Sequence, residues 1–188
     1  EGLVEIQDAS SQASVIDLPR NSNLKILDYC CGSGGKSLAL QAWTNGKIFA
    51  YDALPERTLD LQNRAEKAGA KITEISKPIK DSFDVIFCDV PCSGSGSWRR
   101  DPAGKWNLTA TSWKNLLNKQ IEILDEAKQL LSQNGTLVYA TCSVLLTENY
   151  KQVEKFCSSN PDFQIVKAHQ FYPSDLGDGF FYGFLKKI

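Results

Sequence analysis

Residues 24–37, LKILDYCCGSGGKS, decide the fold of this chain. The apolar run from Leu24 to Cys30 has the length of a buried strand, and the segment from Cys31 to Gly35 is rich in glycine. The segment from Lys36 to Trp43 then continues as a helix. A strand, a glycine turn and a helix in this order are typical of the corner of an open α/β sheet where a helix N-terminus meets a ligand. The stretch therefore predicts an α/β fold with a nucleotide-type pocket at the turn.

The rest of the chain repeats this alternation of apolar runs and helical segments, which is typical of a parallel sheet covered by helices. Further strands are predicted at Lys47 to Asp52, Lys71 to Ile75, Asp84 to Asp89 and Gly135 to Cys142, and closing strands at Phe163 to Val166 and Gly179 to Leu185. Helices are predicted from Pro55 to about Ala68, between Trp113 and Leu131, and after the cap residue Thr147. The length of 188 residues suits a single domain, residues 1–188.

The overall composition narrows the function classes. The net charge of −1 gives no general attraction to nucleic acid, so RNA binding is expected to be local or to depend on another domain. Apolar runs such as Val85 to Cys88 are too short to span a membrane. The first residues contain neither a signal peptide nor an initiator methionine. We therefore expect a cytosolic fragment that lacks an upstream RNA-binding domain.

Six cysteines stand at positions 30, 31, 88, 92, 142 and 157 and form no C-x-x-C pair, so no structural metal site is expected. Cys92, in the stretch DVPCSG at 89–94, and Cys142, in TCS at 141–143, each follow a predicted strand. Because the carboxyl ends of parallel strands meet at one edge, both thiols and Asp89 are expected to share a pocket. A strand-end cysteine is otherwise a small buried apolar residue, which is the interpretation for Cys30, Cys88 and Cys157.

The glycine turn has two alternative interpretations. It can be a tight connection without a ligand, or it can belong to a P-loop NTPase, because Gly35-Lys36-Ser37 resembles the end of that motif and Asp89 could hold magnesium. A P-loop requires glycine five residues before Gly35, and Cys30 stands there. The spacing therefore disfavours the P-loop.

Asp52 ends the second predicted strand, about one βα unit after the turn. A carboxylate at this place can accept hydrogen bonds from the hydroxyls of a ribose, which favours a ligand that contains adenosine. The alternative is that Asp52 caps the helix that begins near Pro55.

A loop of basic and aromatic residues follows the DVPCSG stretch. Arg99, Arg100 and Lys105, with Trp98 and Trp106, suit contacts with RNA phosphates and stacking on bases. By composition alone, an ordinary solvated loop is equally compatible with these residues.

Several stretches together resemble the ordered motifs of the NOL/NOP/Sun family, the RsmB-like RNA cytosine-5 methyltransferases, and the resemblance covers nearly the whole chain. These are DYCCGSGGK at 28–36, DVPCSG at 89–94, RRDP at 99–102 with Lys105-Trp106, TCS at 141–143 with Glu148-Asn149, DGFF at 178–181, and the opening Gln7-Asp8 with Ser10-Ser11-Gln12. Two departures are the Ser33 that replaces a common proline, and the absence of the family's adenine-side carboxylate from residues 76–80.

The resemblance implies a Rossmann-like class I methyltransferase fold, with helices on both sheet faces and a late antiparallel strand. It implies S-adenosylmethionine as the cofactor and RNA as the partner, with ribosomal RNA as the first candidate and transfer RNA as the second. The protein is expected to be a monomer in the bacterial cytoplasm or in the eukaryotic nucleolus. The cofactor-binding residues it implies are Cys30, Cys31, Gly32, Ser33, Gly34, Gly35, Lys36, Asp52 and Asp89.

The resemblance also implies catalytic roles for both thiols. Cys142 would add to carbon 6 of cytosine as the nucleophile, Cys92 would assist product release, and Asp89 would line the pocket and act at N3 of the base. The chemistry alone leaves the reverse order open, because DNA cytosine-5 methyltransferases use the cysteine of a Pro-Cys motif. A catalytically silent RNA-binding scaffold is the remaining alternative.

Overall fold

The computed structural model describes residues 4–78, 80 and 83–188. Within these residues, seven strands form one sheet. They are β1 (Lys25–Asp28), β2 (Lys47–Ala50), β3 (Ile72–Glu74), β4 (Phe83–Asp89), β5 (Leu131–Thr141), β6 (Phe163–Phe171) and β7 (Phe180–Lys187).

The sheet has the strand order β3-β2-β1-β4-β5-β7-β6. The neighbours from β3 to β5 are parallel, and β7 runs antiparallel to both β5 and β6. This arrangement confirms the predicted α/β class, the mostly parallel sheet and the late antiparallel strand.

Six α-helices lie within the described ranges: α1 (Ala9–Ile16), α2 (Gly35–Thr44), α3 (Leu61–Lys67), α4 (Pro102–Asn107), α5 (Ala110–Ala127) and α6 (Tyr150–Ser159). The buried side chains divide into two cores. One contains Leu40 of α2 and Leu61 of α3, and the other contains Leu124 of α5 and Phe156 of α6. The prediction of helices on both faces is therefore confirmed. None of these helices is long and apolar enough to cross a membrane.

Two predicted helices have different bounds in the structure. The helix expected from Pro55 to Ala68 is a short 3₁₀ turn, Pro55–Arg57, followed by α3. Thr58 stands between the two, and its hydroxyl bonds to the Pro55 carbonyl and to the Glu74 carboxylate, which ties this point of the chain to β3. The helix expected to reach Leu131 ends at Ala127, and fully buried Leu131 instead begins β5, where it pairs with Phe83.

Helices α1 and α4 were not predicted from the sequence, and β6 ends at Phe171 rather than at the predicted Val166. Both helices are short and depend on an aspartate cap. Asp8 accepts a hydrogen bond from the Ser10 amide, and Asp101 accepts one from the Gly104 amide. Neither helix contains enough apolar residues to produce a clear periodic pattern.

The carboxyl ends of the parallel strands meet at one edge of the sheet. Asp28, Ala50, Asp89 and Thr141 are the last residues of β1, β2, β4 and β5. The connections that leave these ends contain the glycine turn, Asp52 and both candidate thiols. The strand order reverses next to β1, which is the usual position of a ligand in open α/β sheets.

Candidate active site

The glycine turn connects β1 to α2 at the point of strand-order reversal. Its Gly34 amide donates to the Cys31 carbonyl at 2.9 Å. Gly34 has a φ of 88°, and a Cβ there would lie 2.4 Å from Leu61 Cδ1, so a larger residue does not fit. The turn therefore packs closely against Leu61 of α3 and leads directly into the α2 N-terminus.

Asp52 lies directly beside this turn. One carboxylate oxygen accepts from the Gly32 amide at 3.0 Å, and the other accepts from the Leu54 amide at 3.0 Å. The Arg57 guanidinium is 3.6 Å from the same carboxylate. A cavity of about 380 Å³ continues from Asp52 towards Glu74 at the end of β3. The turn, the carboxylate and the cavity fit the adenosine portion of a cofactor, and the bond to Leu54 shows that Asp52 also orders the following turn.

Glu74 is the acidic side chain that the sequence analysis did not consider for this cavity. It ends β3, two residues before the segment 76–80 that contains no carboxylate, and it accepts a hydrogen bond from the Thr58 hydroxyl at 2.5 Å. Of that segment, Ile79 lies outside the described residues.

The structure brings the two candidate thiols together. The Sγ atoms of Cys92 and Cys142 are 3.3 Å apart and share a hydrogen bond. This bond lowers the pKa of Cys142, with the nearby Lys36 ammonium contributing in the same direction, although burial and Asp89 oppose it. The same bond, together with burial, raises the pKa of Cys92. The arrangement favours a thiolate on Cys142 and a thiol on Cys92.

Lys36 follows the glycine turn in sequence, but its ammonium lies in the pocket of the thiols. The residue is buried, and its Nζ donates to Asp89 Oδ2 at 2.9 Å and to Ser11 Oγ at 2.6 Å. A cavity of about 180 Å³ is lined by Lys36, Asp89, Arg100 and Cys142. This second cavity therefore combines a cation, a carboxylate and a thiol.

Asp28 lies fully buried beneath the turn. Burial raises the pKa of its carboxyl to about 7, against a single hydrogen bond from the Ser37 hydroxyl at 2.7 Å. Its other oxygen has no hydrogen-bond partner among the residues that the structure describes. Asp28 therefore supports the floor of the turn and does not face the cavity of the thiols.

The four predicted RNA-binding residues form two pairs with different surroundings. The side chains of Arg99 and Arg100 both pair with the buried Asp178 carboxylate, and Arg99 also donates to the Ser174 carbonyl. Lys105 and Trp106 belong to α4, where Trp106 is 80% exposed and the Lys105 ammonium lies 5.4 Å from its ring centre. The arginines thus order loops beside the cavity, and α4 presents an aromatic surface to solvent.

Three residues that contact this site received no role in the sequence analysis: Ser11, Gln120 and Glu148. Ser11 holds Lys36, whereas Gln120 and Glu148 bond to each other and to the loops of the thiols. Ser11 and Glu148 stand within stretches of the family resemblance, but no local pattern indicates what they contact. In residues 4–78, 80 and 83–188, no group of three or more His, Cys, Asp or Glu side chains could hold a metal ion.

The strand order, the glycine turn and the carboxylate after β2 define a Rossmann-like methyltransferase. The chain belongs to the 16S rRNA methyltransferase RsmB/F family, whose model matches residues 15–186. This membership confirms the resemblance found in the sequence. S-adenosylmethionine, the cofactor predicted from the sequence, is the methyl donor of this family, and the P-loop alternative finds no support.

Ribosomal RNA small subunit methyltransferase B of Citrobacter koseri is 36% identical over 204 residues, which cover 100% of this chain and 48% of that protein. The protein of the same name from Proteus mirabilis is 35% identical over 197 residues, with 100% and 47% covered. The chain thus spans about half the length of these relatives.

Two solved structures are similar throughout the chain. The crystal structure of PH0851 superimposes with a TM-score of 0.92 at 26% identity and covers 99% of this chain and 47% of that one. NSun6 from Pyrococcus horikoshii, solved with SFG, gives a TM-score of 0.83 at 22% identity and covers 96% and 52%. At 22% identity, the similarity to NSun6 shows a shared fold alone.

Proposed function

We propose that this protein transfers a methyl group from S-adenosylmethionine to carbon 5 of a cytosine in RNA, with ribosomal RNA as the first candidate. The observation that carries the proposal is the pair of sulfurs 3.3 Å apart beside the Lys36–Asp89 ion pair. Carbon 5 of cytosine is a weak nucleophile, and a thiolate that adds to carbon 6 makes it reactive. A cavity lined by Cys142 and the Lys36–Asp89 ion pair, with the Cys92 thiol in contact with Cys142, supplies the groups for this route.

The cofactor would be held by the glycine turn and by Asp52. The backbone from Cys30 to Gly35 would contact the cofactor at the α2 N-terminus, and the Asp52 carboxylate, which the Gly32 amide orients, would accept hydrogen bonds from the ribose hydroxyls. Lys36 and Asp89 stand between this region and the thiols. When bound, S-adenosylmethionine supplies the methyl group that carbon 5 accepts.

In the proposed reaction, Cys142 attacks carbon 6 of the base. Its thiolate is stabilised by the hydrogen bond from Cys92 and by the positive charge of Lys36. As the sulfur–carbon bond forms, electron density moves towards N3 and carbon 5. The Lys36–Asp89 pair can donate a hydrogen bond or a proton at N3, which stabilises the charge that develops there.

Cys92 would act in the second half of the reaction. After methylation, a general base takes the proton from carbon 5, the carbon 5–carbon 6 double bond re-forms, and the Cys142 sulfur leaves as a thiolate. The Cys92 thiol contacts this departing sulfur and can donate a hydrogen bond to it. Without Cys92, the covalent adduct should therefore persist.

RNA contacts are proposed for the surface around the cavity. Trp106 and Lys105 on α4 can stack on a base and meet a phosphate, and Arg100 lines the mouth of the pocket. A base must leave its stack to reach Cys142, so the target is a single-stranded or flipped cytosine. The names of the relatives in Citrobacter and Proteus support ribosomal rather than transfer RNA.

The direct test is nucleoside mass spectrometry of unmodified 16S ribosomal RNA after incubation with the protein and isotope-labelled S-adenosylmethionine. We expect label in 5-methylcytidine, and none with Cys142→Ala. Label in another nucleoside would overturn the assignment of carbon 5. Binding of RNA without any labelled product would instead favour the silent scaffold.

A further inference from the structure

Glu148 is a fully buried carboxylate in the loop between β5 and α6. Its Oε1 accepts from the Ser93 amide at 2.9 Å and from Gln120 Nε2 at 3.2 Å. Its Oε2 bonds to the hydroxyls of Ser93 and Ser143, each at 2.5 Å. Four hydrogen bonds compensate the cost of removing this carboxylate from water.

The partners of Glu148 are the residues next to the two thiols. Ser93 follows Cys92, and Ser143 follows Cys142. One carboxylate group therefore joins the loop after β4 to the loop after β5, at the level of the sulfurs. Neither thiol appears among its hydrogen-bond partners, so the hydrogen bonds of Glu148 hold the thiols through the two loops. After the Cys142 hydrogen bond and burial, the negative charge of Glu148 also contributes to the raised pKa of Cys92.

Neighbouring amide side chains extend this connection. Gln120 of α5 donates to the Pro91 carbonyl, so the loop of Cys92 is held on both sides of the thiol. Asn149 accepts from the Thr141 hydroxyl at 2.6 Å and donates to the Ser143 carbonyl at 2.9 Å, so the loop of Cys142 is held in the same way. Gln152 of α6 fixes Gln120 by donating to its side-chain oxygen at 2.8 Å.

We propose that Glu148 is a positioning residue that keeps the Cys92 and Cys142 sulfurs in contact, and that it does so from behind the pocket without touching the RNA. Its catalytic consequence rests on the function proposed above. A buried carboxylate is costly to maintain, and an apolar side chain could fill its space, so its retention is explained by the geometry that it imposes on both loops. Displacements of about 1 Å at reacting groups can reduce rates about 100-fold.

The kinetic test compares Glu148→Gln with Glu154→Gln. Glutamine has nearly the same shape as glutamate but offers one acceptor oxygen instead of two, and Glu154 is an exposed glutamate on α6. We expect Glu148→Gln to lower kcat by about 10-fold to 100-fold while the KM for RNA stays within about 2-fold. Glu154→Gln should leave both constants unchanged. An unchanged kcat in Glu148→Gln would overturn the proposal.

A second measurement reports on the thiols without any methyl transfer. Phenylarsine oxide reacts with two neighbouring thiols, forming two arsenic–sulfur bonds and releasing one water. The wild-type protein should bind it through Cys92 and Cys142. Mass spectrometry would establish this if the arsenical adduct is present in the wild type and absent in Cys142→Ala. We expect Glu148→Gln to weaken this binding at least about 10-fold and Glu154→Gln to leave it intact. Wild-type affinity in Glu148→Gln would contradict the positioning role.

The two measurements separate this proposal from the proposed function. If the wild-type protein methylates no cytosine while Glu148→Gln still binds phenylarsine oxide more weakly than the wild type, the positioning role stands and the proposed methyltransferase function is wrong. Should Glu148→Gln not fold, as judged by circular dichroism, Ser143→Ala removes one of the four bonds and should weaken arsenical binding in the same direction. Wild-type binding in Ser143→Ala would then count against the proposal.

Discussion

Single residues determine the charge of the pocket. Lys36 is buried, and its ammonium connects Ser11 to Asp89 at the same cavity that Cys142 lines. Its positive charge is one of the causes that lower the pKa of Cys142, after the hydrogen bond from Cys92. Lys36 is therefore expected to affect the ionisation of Cys142, the proposed nucleophile, and also Asp89, the group proposed to act at N3 of the base.

Replacement of Lys36 by methionine should raise the pKa of Cys142, because the favourable charge is removed while Asp89 remains. At a given pH below that pKa, alkylation of Cys142 by iodoacetamide should then be slower than in the wild type. The measurement is the alkylation rate of Cys142 as a function of pH, followed by peptide mass spectrometry. Lys47→Met, at an exposed position in β2, is the matched control. A faster rate in Lys36→Met would contradict this prediction.

Asp28 should make stability depend on pH. The pKa of its carboxyl is about 7 in the folded protein, above the ordinary value of 3.8, so the folded state retains a proton that the unfolded state loses. Folding stability should therefore fall as pH rises from about 4 to about 7, by up to about 4 kcal/mol, and then level off.

Asp28→Asn should remove this contribution, which urea unfolding between pH 4 and pH 8 would measure. Asp162→Asn, at an exposed position, should keep the wild-type pH dependence. An unaltered slope in Asp28→Asn would show that the carboxyl is already ionised in the folded state at pH 4.

Some residues of this site could be identified from the sequence, and others could not. Cys92 and Cys142 could be found because each follows a buried strand, and parallel strands bring their carboxyl ends together. Glu148 and Ser11 could not be given a role, because their partners are distant in sequence: Glu148 contacts Ser93, and Ser11 contacts Lys36. Hydrogen bonds between loops leave no periodic pattern in the chain.

At the scale of elements, the strands were easier to predict than the helices. Ile26 and Leu27 of β1, the residues from Val85 to Cys88 in β4 and those from Leu137 to Ala140 in β5 are buried and appear as continuous apolar runs. The helices depend on caps and tertiary contacts. The segment after Pro55 divides at Thr58, whose hydroxyl contacts β3. The predicted end of α5 was too late, because Leu131 continues the apolar pattern but belongs to β5.

The N-terminus of α5 offers a stability prediction. Thr109 and Ser112 form a capping box, in which the Thr109 hydroxyl accepts from the Ser112 amide at 3.1 Å. Thr109→Ala should lower the free energy of unfolding by about 1 kcal/mol, measured by urea denaturation. Thr111→Ala, an exposed position inside the same helix, should change it by less than about 0.5 kcal/mol. Equal effects of the two variants would show that the cap contributes little.

For the molecule as a whole, the net charge of −1 predicts a weak affinity for RNA. Arg99 and Arg100 lie at the pocket mouth, but both are paired with Asp178, which offsets part of their charge. We expect these 188 residues to bind RNA with a Kd of about 10⁻⁶ M or weaker at physiological salt, with affinity falling as salt increases. Fluorescence anisotropy over a salt series would measure this. Nanomolar binding at physiological salt would contradict this prediction and show that the surface of these residues is sufficient for tight RNA binding.

The proposed mechanism depends on the contact between the Cys92 and Cys142 sulfurs beside Lys36 and Asp89, and on Cys142 as the nucleophile. The measurement is covalent RNA–protein adduct on a denaturing gel, with unmodified 16S ribosomal RNA, S-adenosylmethionine and the variants Cys92→Ala and Cys142→Ala. We predict that Cys92→Ala accumulates the adduct and that Cys142→Ala forms none. An adduct that forms without Cys142 and requires Cys92 would contradict the account and reverse the two roles.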